Sequence, residues 1–308
     1  MTKITYRQAQ EADLEQTYQT FITASNDLAA AHNFPQIATS STPPNRAMAF
    51  RRYLLQNDAQ RFWVAETQGE MIGFGVAILH GYVCYLAALH VVPSHQGQGV
   101  GRALLEQCMG LGNTPEARLW ITIADSLNPI SNAIYARFGM VGWVPLIPLS
   151  GSVPTGAIAT NSAFADFAHV LADNPQHLAS LAAVDQQVLG FNRTSEHQLW
   201  LKQPDLQGYL FGDLVTPMGY VYLSSEGAIG PLAVRESAQI EPALTFCLAQ
   251  LQAREVESVS IKLPGLCQTG VRYLVNCGLH FSRPLLVLSS ERFGQMDRYA
   301  VSGGDAFF

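Results

Sequence analysis

The sequence has no excess of positive charge: its 308 residues carry a formal net charge of −6. Nucleic-acid binding rests on a basic stripe that neutralises phosphates, so that class of partner is set aside. No apolar run approaches the roughly 18 residues that a membrane span needs. The opening "MTKITYRQAQ" stays polar, without the apolar core of a signal peptide. Cysteine is scarce, with five residues (Cys84, Cys108, Cys247, Cys267 and Cys277) and no C-x-x-C pair. Neither a disulfide framework nor a thiolate metal site is expected, and buried free thiols are the plain reading. No like-charge run is long enough to form a tail. These absences leave a soluble cytoplasmic protein with no metal, no membrane and no nucleic-acid partner.

What is present fits a globular chain, 48% hydrophobic and 14% charged, of a length that suits two domains of about 150 residues each. Residues 4–30 read as a strand and a helix. The turn-rich stretch "AHNFPQIATSSTPPNRAMAF" reads as a long loop, and loops of that length often carry function. A hairpin turns at Thr67-Gln68-Gly69-Glu70, and a further strand, "YLAALHVV", leads to Pro93. Val100, Leu104, Cys108 and Leu111 then mark one face of a helix closed by Gly110 and Gly112. After the strand "ARLWITIA", Asn128-Pro129 opens a helix that ends at Gly139. A last strand, "VGWVPLI", gives way to a stretch rich in proline, glycine, serine and threonine. The expected division is a first domain over 1–148, a linker over 149–163 and a second domain over 164–308. The second half repeats the first in outline, so two copies of one α+β unit are expected.

Between the strand and the helix lies "HVVPSHQGQGVGRALL". Gly97, Gly99 and Gly101 fall within five residues, where free helix amides can meet an anion at close range. A dinucleotide fingerprint fails because Arg102 occupies its final glycine position. A Walker A loop fails because Gly101 is followed by Arg102-Ala103. On this stretch alone, a glycine-rich connection without a ligand stays open.

Gln96-Gly97-Gln98-Gly99-Val100-Gly101 resembles the Q/R-x-x-G-x-G/A loop of the GCN5-related N-acetyltransferase (GNAT) family. Leu89-His90-Val91-Val92-Pro93 is similar to that family's central strand. A second family element, N-x-x-A/S-x-x-x-Y-x-x-x-G-F, matches Asn128 to Tyr135, with Gly139-Met140 in place of Gly-Phe. The resemblance implies three-layer α/β/α acyl-CoA N-acyltransferase folds in tandem, each a mixed, mostly antiparallel sheet flanked by helices. It implies acetyl-CoA as donor, with its pyrophosphate on Gln96, Gly97, Gln98, Gly99, Val100, Gly101 and Arg102. Leu89, His90 and Val91 would hold the pantetheine arm, and Asn128 would complete the donor site. Tyr135 would protonate the departing thiolate, and a phenol of pKa about 10 is a reasonable acid toward a thiol of about 8.5. A core tyrosine of no catalytic role is the other reading of Tyr135.

The general base stays open among His90, Glu66, His80 and water, since Leu119-Trp120-Ile121-Thr122-Ile123 lacks the glutamate many relatives carry there. His90 alternates with Leu89 and Val91, so a packed histidine on the other sheet face is the stronger reading. The loop from Asn26 to Arg46, with His32 and Phe34, is expected near the acceptor, or as a plain surface loop. The second half lacks both elements: "GPLAVRESAQIEPAL" has no glycine loop, and Leu274 stands where a tyrosine would be. It reads as a degenerate copy that either shapes the acceptor site or only packs. A small-molecule amine is the expected acceptor. A peptide N-terminus or lysine and a non-catalytic acyl-CoA sensor are the alternatives, and a homodimer stays open.

Overall fold

A computed structural model describes residues 3–39, 43–110, 116–154 and 164–302. Leu111 and Gly112, expected at a helix end, and 155–163 of the expected linker lie outside the described residues. The chain divides into two compact units, Met1–Thr122 with Asn128–Met140, and Ile123–Leu127 with Val141–Phe308.

The first unit runs β1 (Thr5–Gln8), α1 (Leu14–Ala31), α2 (Asn45–Asp58), β2 (Phe62–Thr67), β3 (Glu70–His80) and β4 (Val83–Val91). It continues with α3 (Val100–Met109), β5 (Leu119–Asp125), whose last residues count with the second unit, and α4 (Pro129–Arg137). Its strands pair in sequence order, antiparallel except for the parallel pair β4–β5. Buried Phe62, Val64, Phe74 and Val76 alternate along the pleats of β2 and β3. A Cβ on Gly75 would lie 2.8 Å from the Cys108 Sγ, so the bare strand lets α3 close onto the sheet. The opposite face is covered by α1, whose Phe21 meets His90. Helix α1 reaches Ala31 and α2 occupies Asn45–Asp58, so the loop expected over Asn26 to Arg46 is helical at both ends and shorter than the sequence suggests. Asn26 folds that loop back, since its side chain both donates to and accepts from the Ile37 backbone at 2.9 and 2.7 Å.

The second unit runs β6 (Val141–Ser152), β7 (Ala168–Val170), α5 (Pro175–Val188), α6 (Thr194–Leu201), β8 (Leu206–Gly212), β9 (Pro217–Ser224) and β10 (Ala228–Val234). Then come α7 (Ile240–Ala253), β11 (Ser258–Pro264), α8 (Gln268–Asn276), β12 (His280–Phe281), β13 (Leu285–Ser289) and β14 (Tyr299–Ala300). Its sheet has the order β13-β6-β11-β10-β9-β8-β7. The boundary expected at 148 and the linker expected from 149 fall inside β6. Ser150, Gly151 and Ser152 pair there with Ser260, Val259 and Ser258 of β11. A strand belongs with the partners that satisfy its backbone, so the units part at Met140–Val141. Cys84, Cys108, Cys247 and Cys267 are buried free thiols, and Cys277 is half-buried.

Candidate active site

Strand β4 has two halves. From Val83 to Leu86 it is buried and pairs parallel with Leu119 to Thr122 of β5. The ladder ends where Thr122 Oγ1 donates to the Leu86 carbonyl at 3.1 Å. One extra residue, Ala87, is inserted at this point, since Ala77 faces Leu86 and Val76 faces Ala88. Such a bulge turns the strand and raises its twist. From Ala87 to Val91, β4 keeps β3 on one side and has no strand on the other among the described residues. An unpaired strand edge is a row of backbone donors and acceptors ready for an extended ligand.

That edge runs directly into the glycine turn. Gly97 and Gly99 have φ of +74° and +83°, and a Cβ on either would meet nothing within 4 Å. Glycine is required here by backbone conformation, and open space lies above it. Gly99 is the N-cap of α3 and offers no side chain to cap it, and the first turn holds no acid. The first-turn amides of Val100, Gly101 and Arg102 have no partner inside the helix, and the helix dipole adds positive potential. Gln96 ties the turn to β4 by donating to the Val91 carbonyl at 2.9 Å, and Gln98 donates to the Ser94 carbonyl at 3.1 Å. Arg102 pairs with Glu106 at 2.9 Å on the exposed face. These residues fit a pyrophosphate.

The three β4 positions divide by face. Leu89 and Val91 pack with Val100 and Leu104 of α3. His90 points to α1, its ring 5.1 Å from Phe21 and 5.4 Å from Phe74. Asn128 is the N-cap of α4, its Oδ1 accepting from the Ser131 amide at 3.1 Å, with Pro129 next. The helix ends as the sequence suggests, at Gly139 with φ of +79°. Tyr135 is buried on α4. Burial, and then the neighbouring Cys108, push its hydroxyl above the ordinary phenol range. The Cys108 thiol on α3 is pushed up chiefly by the same burial.

The structure sets two of the candidate bases apart. Glu66 is ion-paired with Arg7, which also holds Asp13 at 2.7 Å. His80 closes the far end of β3, opposite Val83, whereas Gly75 faces Leu89. At about 3.4 Å per residue the five-residue offset puts His80 about 17 Å along the strand from the Leu89 position. His90 is the one of the three on that edge. His32 is exposed and Phe34 half-buried beyond the end of α1.

The second unit repeats the architecture and closes it. Its parallel pair β10–β11 ends at Ile229–Ile261, and β10 is bulged just beyond. The gap that opens there is filled by the chain itself. β14 pairs with Leu232 and Ala233 of β10, and the Val301 amide donates to the Lys262 carbonyl at 3.1 Å. A buried network anchors this plug. Arg193 grips Asp185 through Nη2 at 3.0 Å and Nε at 3.1 Å, and reaches Tyr299 of β14 at 2.8 Å. His197 bridges Asp185 and the Tyr222 hydroxyl at 3.0 and 2.9 Å. The lack of a glycine motif in this half does not by itself reveal that a strand fills the gap.

Residues 27–140 match the Acetyltransferase (GNAT) family. That match falls mainly on the first unit. Over 83 residues the chain is 32% identical to the mycothiol acetyltransferase of Nocardia farcinica, a stretch that is 27% of this chain and 26% of that protein. The chain thus matches only about a quarter of the length of this curated relative. Among solved structures, a candidate acetyltransferase of Pyrococcus horikoshii aligns with a TM-score of 0.75 at 14% identity, over 99% of this chain and 96% of that one. A tandem GNAT protein from the clavulanic acid biosynthesis pathway aligns at 0.58 with 15% identity, over 93% and 98%. At such identities the likeness shows the fold, an α+β acyl-CoA N-acyltransferase fold. Among the described residues no helix is long and apolar enough to cross a membrane, and no group of three or more acidic, histidine or cysteine side chains is placed to hold a metal.

Proposed function

We propose that the first unit transfers an acetyl group from acetyl-CoA to the amine of a small molecule. The observation that carries this reading is the continuity of the open β4 edge, Ala87 to Val91, with the uncapped amino end of α3. One is an extended slot of backbone hydrogen-bonding groups, the other an anion cradle. Acetyl-CoA has an amide-rich arm ending in a pyrophosphate, in that order. Backbone amides at Leu89 to Val91 would orient the arm and polarise the thioester carbonyl. Gln96 to Gly101 would hold the phosphates, with Arg102 and Asn128 beside them.

The amine nitrogen bonds to the carbonyl carbon, the C–S bond breaks, and Tyr135 gives its proton to sulfur. The proton lost by nitrogen passes to water and restores the phenol. Burial raises the Tyr135 hydroxyl, which would make it a poor acid toward a thiol in bulk water. The same surroundings raise a thiol as well, as Cys108 indicates. A thioester sulfur brought into the same surroundings would be raised with the phenol, and a matched pair is the condition for efficient general acid catalysis. Because the shift is upward, the phenol stays protonated at and above its ordinary value of about 10. A kcat–pH profile should therefore show no descending limb from this group below about pH 10.

Thiol release from acetyl-CoA in the presence of a panel of small amines tests the reading. Amine-dependent release above the hydrolysis background is the expected result. Tight acetyl-CoA binding with no amine-dependent release would favour a sensor instead. The second unit, its gap filled by β14, should take up no donor of its own. Saturation at one acetyl-CoA per chain would agree with that.

A further inference from the structure

Arg51 is a buried cation with no ion pair among the described residues. It lies on the inner side of α2 and is 8% exposed. Its Nε donates to Thr17 Oγ1 at 3.1 Å and its Nη1 to the Ala47 carbonyl at 3.1 Å. Its guanidinium lies over the rings of Tyr18 and Phe21, at 5.1 and 5.9 Å. Among the described residues no carboxylate pairs with it and its Nη2 has no hydrogen-bond partner. The other buried arginines are matched, Arg61 by Asp58 at 3.5 Å and Arg193 by Asp185 at 3.0 Å. Arginine is almost never buried unless paired, because a desolvated charge is costly until a counter-charge meets it. Desolvation lowers the Arg51 pKa to about 10, opposite to what a neighbouring acid does.

The position of this cation gives it a use. Phe21, under the Arg51 guanidinium, also stacks edge-on against His90 of the open β4 edge. Leu89 and Val91 close the other face against α3. An acceptor that meets a thioester on β4 therefore approaches along the His90 side, lined by α1 and α2. We infer that the acceptor amine carries a carboxylate, held by Arg51 while its nitrogen faces the thioester. This inference rests on the acetyltransferase reading above and names its substrate class. One planar monoanion suits one guanidinium with free donors on a single nitrogen, whereas a phosphate dianion calls for a second cation.

The test uses the full chain, with acetyl-CoA binding measured first by calorimetry. Thiol release is then compared across matched pairs, each free amino acid beside its own carboxamide. Turnover should favour the acids, with the matched amides about 10- to 100-fold poorer, the usual weight of a charged hydrogen bond. Arg51→Lys should lower kcat/KM for the acids by a similar factor at unchanged acetyl-CoA affinity. Arg51→Met should bring the acid-to-amide ratio near one without lowering the melting midpoint, since it removes an uncompensated charge. Equal turnover of acids and amides would overturn the inference. So would turnover of neither in a protein that binds acetyl-CoA, or an Arg51→Met variant that melts earlier and loses both alike. A chain that binds no acetyl-CoA fails at the parent reading instead, and the inference falls with it.

Discussion

Tyr135→Phe should lower kcat by about 10²- to 10⁴-fold, the range a positioned general acid supplies, while acetyl-CoA binds as before. The substitution removes one oxygen from a buried ring on α4 and leaves the cradle at Gly97 to Gly101 untouched. The ring still fills its place, so the melting midpoint should move little. A tyrosine that serves only to pack predicts the reverse pattern, unchanged kcat in a protein of unchanged fold. Rate and affinity therefore separate the two roles, and steady-state kinetics beside a calorimetric Kd reads both. Unchanged kcat at saturating amine would remove Tyr135 from the chemistry and leave the thiolate to solvent.

Asp185→Asn should destabilise the second unit by about 3–5 kcal/mol, the cost of stranding one partner of a buried ion pair. Its carboxylate is fully buried and takes both Arg193 and His197, and accepts from Tyr220. Burial alone would raise this carboxyl, but the charges of Arg193 and then His197 outweigh it and hold it well below the usual carboxylate range. A carboxyl lowered in the folded state gives stability that is complete above its unfolded value of about 3.9. That stability is lost as pH falls toward the folded value. Acid unfolding of this unit should thus begin only below about pH 4, and the Asn variant should lack that component. At neutral pH its midpoint should fall by on the order of 10 °C. Asp185→Leu with Arg193→Met removes both charges and should recover part of the loss. A double variant no better than the single would show that the network contributes through its geometry. Because Arg193 also holds Tyr299, β14 should exchange its amides faster in the single variant.

The sequence was most legible where structure is decided locally. Gly99, Gly110, Asn128-Pro129 and Gly139 set the ends of α3 and α4 by backbone rules that operate within a few residues. The glycine turn is legible for the same reason, since Gly97 and Gly99 are required by positive φ. Strand β6 is longer than its sequence suggests, because Pro145, Pro148, Ser150 and Gly151 have the composition of a linker. Pro148, Ser150 and Gly151 pair with β11 and Pro145 with β13, all more than 100 residues away, and pairing overrides local preference. Helix α2 was hidden by its own chemistry, because Arg51 and Asp58 sit among its buried residues. An arginine in such a pattern reads as solvent-facing, so nothing in the sequence marked Arg51. The plug at β14 is a matter of topology alone. By residue type His80 is as eligible as His90, and strand register alone separates them.

The central claim is that the amino end of α3 holds the pyrophosphate of acetyl-CoA. Calorimetric titration of the parent protein beside Gly99→Glu tests it most directly. At φ of +83° any side chain carries strain, about 1–2 kcal/mol, so circular dichroism must first show the variant folded. The added carboxylate would stand in the open space above the cradle. The account predicts a Kd on the order of micromolar for the parent and no measurable binding for the folded variant. Equal binding by both, or none by the parent, would contradict it.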